Sequence, residues 1–344
     1  LRRVMHYDYW QERFRPSILC DCDADLITYG MGEKPTLELV RLLTDAIDQS
    51  HPLLHYDEKG EACITRQLLR EVGIANLKQT VTLWQKEEIP GGINKDDIVL
   101  HSYEECLKQP QLHAENFRHI EEESNKIHAQ RLLQQTGNKW VVVNPPYPPL
   151  TTEELDHSFD LPYTRLPHPK YKGKRIPAYE MIKFSVTLHR GCFGGCAFCT
   201  ISAHQGKFIV SRSKESILRE VKAISQMTDF KGYLSDLGGP SANMYGMHGK
   251  DMSLCEKCAR PSCLHPTICK NLNQDFAPLL HIYNKVDSLP YIKKSFVGSG
   301  IRYDLMNETY GRELITKHVS GRLKVAPEHT SDSVLKIMRK PSWE

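Results

Sequence analysis

Directly after a strand-like run, Ile182 to Leu188, the sequence continues His189-Arg190-Gly191-Cys192-Phe193-Gly194-Gly195-Cys196-Ala197-Phe198-Cys199-Thr200. Three cysteines spaced four and then three positions apart, threaded with glycines, constrain this chain more than any other feature. Gly191, Gly194 and Gly195 let the backbone fold around an object and bring several thiolates to one point. Three thiolates are one short of the usual set for a cubane iron–sulfur cluster, so one iron would stay open to a substrate or cofactor. A structural zinc site would want a fourth ligand, and His189 is a candidate although it precedes the loop. Cys196-Ala197-Phe198-Cys199 is also a C-x-x-C, the spacing of a redox dithiol. Iron–sulfur ligation fits best, because all three cysteines follow a strand at the end where α/β folds bind ligands.

The chain has 11 cysteines in 344 residues. Nothing resembles a signal peptide, and no apolar run is long enough to span a membrane. A cytoplasmic protein that uses some thiols for metal therefore fits better than a secreted disulfide scaffold. Lys and Arg number 45 against 42 Asp and Glu. So even a balance argues against an electrostatic nucleic-acid binder and against a polybasic membrane anchor.

A second group, Cys255, Cys258, Cys263 and Cys269, lies in an insertion over 241–277 with Pro261 and Pro266 between its members. Four soft ligands this close would suit zinc or another iron–sulfur cluster, or they are reduced thiols in a loop. A long insertion without regular structure favours metal. Cys20, Cys22, Cys63 and Cys106 read as ordinary thiols.

From Met181 onward the pattern alternates. Strands at 182–188, 232–237, 294–297 and 323–325 are separated by helices at 213–227, 278–289 and 312–319, with a last helix after them. That order means parallel βαβ units, either barrel-like or open. A full eight-fold barrel takes about 250 residues, so 181–344 is expected to hold a partial one, cut short at its C-terminus. Earlier, 24–30 reads as a strand and 36–47 as a helix, an ordinary βα unit that would also suit the end of a doubly wound sheet. Strands are expected at 80–84 and 97–100, and a long polar helix at 115–136. The run Asn144-Pro145-Pro146-Tyr147-Pro148-Pro149 marks a boundary or a rigid connector. The chain as a whole reads as an interior slice of a larger protein.

Cys-x3-Cys-x2-Cys with an aromatic before the last cysteine is the signature of the radical S-adenosylmethionine (SAM) enzymes. The string from Phe184 through Lys207, with Asn144–Pro149 and Leu166-Pro167-His168-Pro169, resembles more specifically the YgiQ-type radical SAM family across essentially the whole chain. That resemblance implies an α/β fold with a partial (β/α) TIM-type barrel. Before it would come the remnant of a Rossmann-like, cobalamin-binding-like domain over 1–50 and a connecting region over 51–180 with a Pro-rich arm. Cys192, Cys196 and Cys199 would ligate a [4Fe–4S] cluster whose open iron is chelated by SAM. One electron would then cleave the sulfonium to a 5′-deoxyadenosyl radical. An electron donor such as a flavodoxin or ferredoxin is implied, cobalamin use stays open, and the substrate is not named by the fold.

Among the SAM contacts, Phe198 would lie beside the adenine, or pack the loop. Gly238 and Gly239 stand where the superfamily has Gly-Gly-Glu, although Pro240 replaces the acid. Ser299 and Arg302, after the third strand, would reach the SAM ribose or carboxylate; Arg302 could instead pair with Asp304 at the surface. Glu328 would meet SAM hydroxyl or amino groups. A zinc-stabilised adaptor without catalysis and a thiol oxidoreductase built on Cys196 and Cys199 are the competing functions.

Overall fold

The computed structural model describes residues 2–343. Two compact units form. One runs to Pro148 and takes in Glu256–Arg260; the other comprises Pro149–Cys255 and the chain from Pro261 onward. The division falls inside the proline cluster.

The N-terminal unit is built on β1 (Ile27–Thr28), α1 (Glu33–Asp48), β2 (Thr80–Gln85), β3 (Ile98–Leu100), α2 (Gln111–Ser124), β4 (Leu132–Thr136) and β5 (Lys139–Val143). Its five-stranded sheet runs in the order β1-β2-β5-β4-β3. All neighbours are antiparallel except β3 and β4. Both faces are covered. Val81, Leu132, Val141 and Val143 pack on one side with Leu100 and Ile120, while Trp84, Leu133, Trp140 and Val142 pack on the other. Successive side chains of a strand point to opposite faces, so the unbroken apolar run of β5 suits a central strand.

Two expectations fail here. The strand–turn–helix of β1 and α1 is present, but β1 is an antiparallel edge strand on β2. A Rossmann-like unit requires parallel pairing, so the first 50 residues do not form one. The helix expected over 115–136 ends at Ser124, where Asn125 turns its Nδ2 back on the Glu121 carbonyl at 2.8 Å, and Leu132–Thr136 is instead β4. Sheet pairing with β5 on one edge and β3 on the other overrides the weak local helix signal.

The C-terminal unit alternates as expected. It contains β6 (Ser185–Thr187), α3 (Lys214–Ser225), β7 (Tyr233–Leu234), β8 (Asp236–Gly238), α4 (Ala277–Asp287), β9 (Lys294–Ser295), α5 (Glu308–Glu313) and α6 (Asp332–Met338). β6 pairs in parallel with β8, and β7 with β9. Ile301 and Val325 form one more parallel bridge, the trace of the strand expected at 323–325. The helix expected at 312–319 starts earlier and passes into a π-turn at Leu314–His318. Among the described residues the strands do not close into a barrel. Val186, Leu188, Leu234 and Leu237 from the strands pack on Ile217, Val221 and Ile224 of α3 and on Leu279, Ile282 and Val286 of α4. That core fixes the ends of β6, β8 and β9 side by side, and the chemistry-bearing residues follow those ends.

No helix is long and apolar enough to cross a membrane among the described residues.

Candidate functional site

The cysteine loop leaves β6 through His189–Arg190, which pairs antiparallel with Val210–Ser211 and so closes the base of the loop. Inside it, Gly191 (φ 88°) and Gly195 (φ 57°) hold left-handed conformations. A Cβ on Gly191 would stand 2.2 Å from the Phe208 carbonyl oxygen, and one on Gly195 would stand 2.5 Å from that of Pro261. Both positions therefore demand glycine. Backbone bonds lock the rest: Cys192 N–H to Gly206 O at 3.1 Å, Cys199 N–H to Cys196 O at 3.0 Å, Ala197 N–H to Met338 O at 3.0 Å. The Ser262 hydroxyl donates to the Gly194 carbonyl at 2.8 Å.

Around Gly194 the sulfurs converge. A Cβ there would lie 3.3 Å from Cys192 Sγ, 3.7 Å from Cys196 Sγ and 3.0 Å from Arg302 Nη1. Burial pushes the Cys192 thiol up to about 11, helped by the neighbouring Cys196 and Cys199 and opposed by a hydrogen bond from the Gly194 backbone. Without a partner that favours the thiolate, such a group is held neutral. Among the described residues no three His, Cys, Asp or Glu side chains stand close enough to hold a single metal ion.

Arg302 is nearly buried. Its Nη1 donates to Cys196 Sγ at 3.2 Å, while Nε and Nη2 donate to the two Asp304 oxygens at 2.8 and 2.6 Å. The buried Asn243 amide grips the Arg302 backbone from both sides, accepting its N–H at 2.9 Å and donating to its carbonyl at 2.8 Å. Burial alone would weaken the guanidinium's charge, but the Asp304 carboxylate, with Cys196 and Cys192, outweighs it and drives the pKa upward. The pairing with Asp304 is thus real but not a surface one, since the two side chains are 8% and 11% exposed.

Asp236, at the start of β8, is a residue whose role the sequence did not reveal. Its Oδ1 accepts the N–H groups of Gly298 and Ser299 at 2.8 and 3.0 Å, and its Oδ2 accepts the Ser299 hydroxyl. One carboxylate therefore ties the loop after β9 to β8. An acidic residue two positions before a double glycine was the only available signal.

The described geometry can now be set beside known proteins. Residues 1–185 match the family model described as radical SAM N-terminal. A UPF0313 protein of Bacteroides thetaiotaomicron is 61% identical over 356 residues, covering all of this chain and 55% of that protein. The UPF0313 protein YgiQ of Salmonella typhimurium is 38% identical over 378 residues, covering 99% of this chain and 52% of that protein. The chain belongs to the radical SAM N-terminal family, among the UPF0313 (YgiQ-type) proteins. It spans about half the length of the curated relatives it matches.

Within this YgiQ-type chain, the remaining expected SAM contacts fall unevenly. Phe198 is half exposed, with Lys340 Nζ 5.9 Å from its ring centre. A Cβ on Gly238 would meet Asp236 Oδ1 and Ser299 Oγ at 2.8 Å, so the chain's own polar groups fill that side. A Cβ on Gly239 would meet His189 Cε1 at 2.5 Å. Ser299 Oγ donates to Asp236, and the Arg302 fork pairs with Asp304, the alternative foreseen for it. Glu328 sits in a left-handed conformation (φ 72°) and pairs with Lys340 at 3.5 Å.

His189 is fully buried, and neither ring nitrogen has a hydrogen-bond partner. Burial lowers its pKa to about 3, so the ring is neutral.

The second cysteine group is not gathered as a single-ion site. Cys263 and Cys269 pack against the C-terminal core and share a 2.7 Å backbone hydrogen bond. Cys255 Sγ accepts from Asn271 Nδ2 at 3.4 Å, and Cys258 lies in the stretch that groups with the other unit.

Proposed function

We propose that this chain is the cluster-binding part of a radical SAM enzyme. Residues 181–344 would form its catalytic core as part of a TIM-type barrel, with 241–277 as an insertion. Cys192, Cys196 and Cys199 would hold a [4Fe–4S] cluster, and SAM would be the co-substrate. When bound, such a cluster supplies one electron to the sulfonium of SAM for its reductive cleavage. The observation that carries this assignment is the approach of Cys192 Sγ, Cys196 Sγ and Arg302 Nη1 to one point beside Gly194, with Cys199 on the same loop.

The chain's own residues do the placing. Gly191 and Gly195 give the cysteine loop the left-handed turns and close backbone approaches that it needs. Arg302 adds a cation beside two thiols that become anionic when they bind metal. Asp236 fixes Gly298 and Ser299 against β8, which holds the strand-end loops in one arrangement before any ligand arrives. His189 presents an uncharged ring under Gly239, so this wall of the site adds no charge. Pro240, where the superfamily commonly has a glutamate, removes one carboxylate from the strand end. The electron would come from a flavodoxin- or ferredoxin-type donor.

The test is anaerobic. The protein is reconstituted with iron and sulfide, reduced with dithionite and given SAM, and 5′-deoxyadenosine is measured. Brown protein that yields 5′-deoxyadenosine, with both properties lost in Cys196→Ser, is the expected result. Colourless protein holding only zinc would overturn the proposal in favour of an adaptor, and disulfide exchange without iron would favour a thiol oxidoreductase.

A further inference from the structure

Arg302 has five N–H donors on a rigid fork, and the structure uses them asymmetrically. Nε and Nη2 are committed to the two oxygens of Asp304, while Nη1 is aimed at Cys196 Sγ from 3.2 Å. Nothing about this placement is loose. The Asn243 side chain holds the Arg302 backbone through two hydrogen bonds, and that amide is itself fully buried. The Gly194 position keeps the approach open, since a Cβ there would come within 3.0 Å of Nη1. An arginine meant to capture an incoming carboxylate would offer its paired donors. Here the side-on pair, Nε and Nη2, is already spent on Asp304, and Nη1 puts one of its two N–H groups on sulfur.

We infer that Arg302 is a tuning residue: its Nη1–H···Sγ hydrogen bond to Cys196 raises the reduction potential of the cluster, and Asp304 sets how strongly it does so. The inference rests on the proposed cluster ligation. Reduction adds one electron and no proton, so the ligand sulfurs gain negative charge, and a donor held against one of them stabilises the reduced form more than the oxidised form. The guanidinium lies in a nearly dry site where such an interaction is weakly screened. Asp304 lies on the opposite edge of the fork, so its negative charge offsets part of the guanidinium's pull. The two residues therefore act on the potential with opposite signs.

The test measures the cluster's midpoint potential by dithionite titration followed by electron paramagnetic resonance, on reconstituted wild type, Arg302→Met, Arg302→Lys and Asp304→Asn. Arg302→Met removes charge and donor, and its potential is expected to move to more negative values. Arg302→Lys keeps the charge without the fork, and its shift is expected to be smaller in the same direction. Asp304→Asn is expected to shift the potential the opposite way. Opposite signs for Arg302 and Asp304 are something a purely structural role does not produce. Unchanged potentials overturn the inference, as do shifts of the same sign, and so does loss of the cluster from all three variants, which would make the pair a structural brace. Failure of the wild type to take up a cluster would instead refute the underlying assignment, and the iron content of the wild type separates the two failures. If Arg302→Met alone loses the cluster, the signs for Arg302→Lys and Asp304→Asn decide.

Discussion

Along a cleft of about 590 Å³ beside β2, Arg66 meets Asp25 at 2.7 Å and Arg70 meets Glu88 at 3.4 Å, all four side chains well exposed. Beyond β6, the guanidinium of Arg302 meets Asp304 at 2.6 Å with both side chains about a tenth exposed, and one of its nitrogens rests on sulfur. The cleft's pairs thus lie in water, where ion pairs add little and tolerate change, although the same unit buries others, such as Arg131 with Asp97. The C-terminal unit buries charge at its strand ends, along with polar atoms of His189, Ser235 and Tyr303 that have no partner. Desolvating such groups is costly without full pairing, so their survival marks a place shaped by something other than stability.

If that contrast is sound, acid should strike the C-terminal unit through one residue. Unfolded, His189 takes a proton near its ordinary value of 6.5; folded, it does so only near 3. Its contribution is complete above pH 6.5 and is lost as pH falls through that window, by roughly 5 kcal/mol at the lower limit. Urea unfolding of wild type and His189→Gln at pH 7 and pH 4 checks this; equal acid sensitivity in the two proteins would break the contrast. Next in size, Leu133→Ala opens a cavity in the N-terminal sheet and should cost about 3 kcal/mol, while iron uptake per folded molecule stays at the wild-type level. A matching fall in iron content would show that the units do not separate scaffold from site.

Gly195→Ala should cost roughly 2 kcal/mol through strain and overpacking, yet it should lower iron content more than Leu133→Ala does, because it deforms the cysteine loop itself. The smallest effect is expected for Arg66→Ala, whose exposed pair with Asp25 can be lost without a resolvable change in the unfolding midpoint. A clear loss there would mean that the cleft, too, carries a demand beyond solubility.

Much of this was legible in one dimension. α1, α3 and α4 announce themselves by apolar residues on one face, and the cysteine loop by spacing and glycines. What escaped was long-range. Leu132–Thr136 has no alternation to mark a strand and becomes one only because β3 and β5 flank it. β1 looked like the strand of a βα unit, yet local sequence says nothing about the direction of the neighbour it pairs with. Arg302 and Asp304 were visible as a possible pair, but the third partner, Cys196, lies over a hundred residues earlier in the chain. Asp236 gave even less away, since its meaning depends on Gly298 and Ser299.

The bond from Ala197 N–H to Met338 O also gives the site a clock. Lys340 follows it, reaching the Ala326 carbonyl at 2.7 Å. The cysteines leave the ribosome roughly 140 residues before the segment that pins their loop, on the order of ten seconds at ordinary rates of synthesis. The hairpin at the loop's base and the bond to Gly206 are complete within about 20 residues of the cysteines, so only the last anchor waits for the far end of the chain.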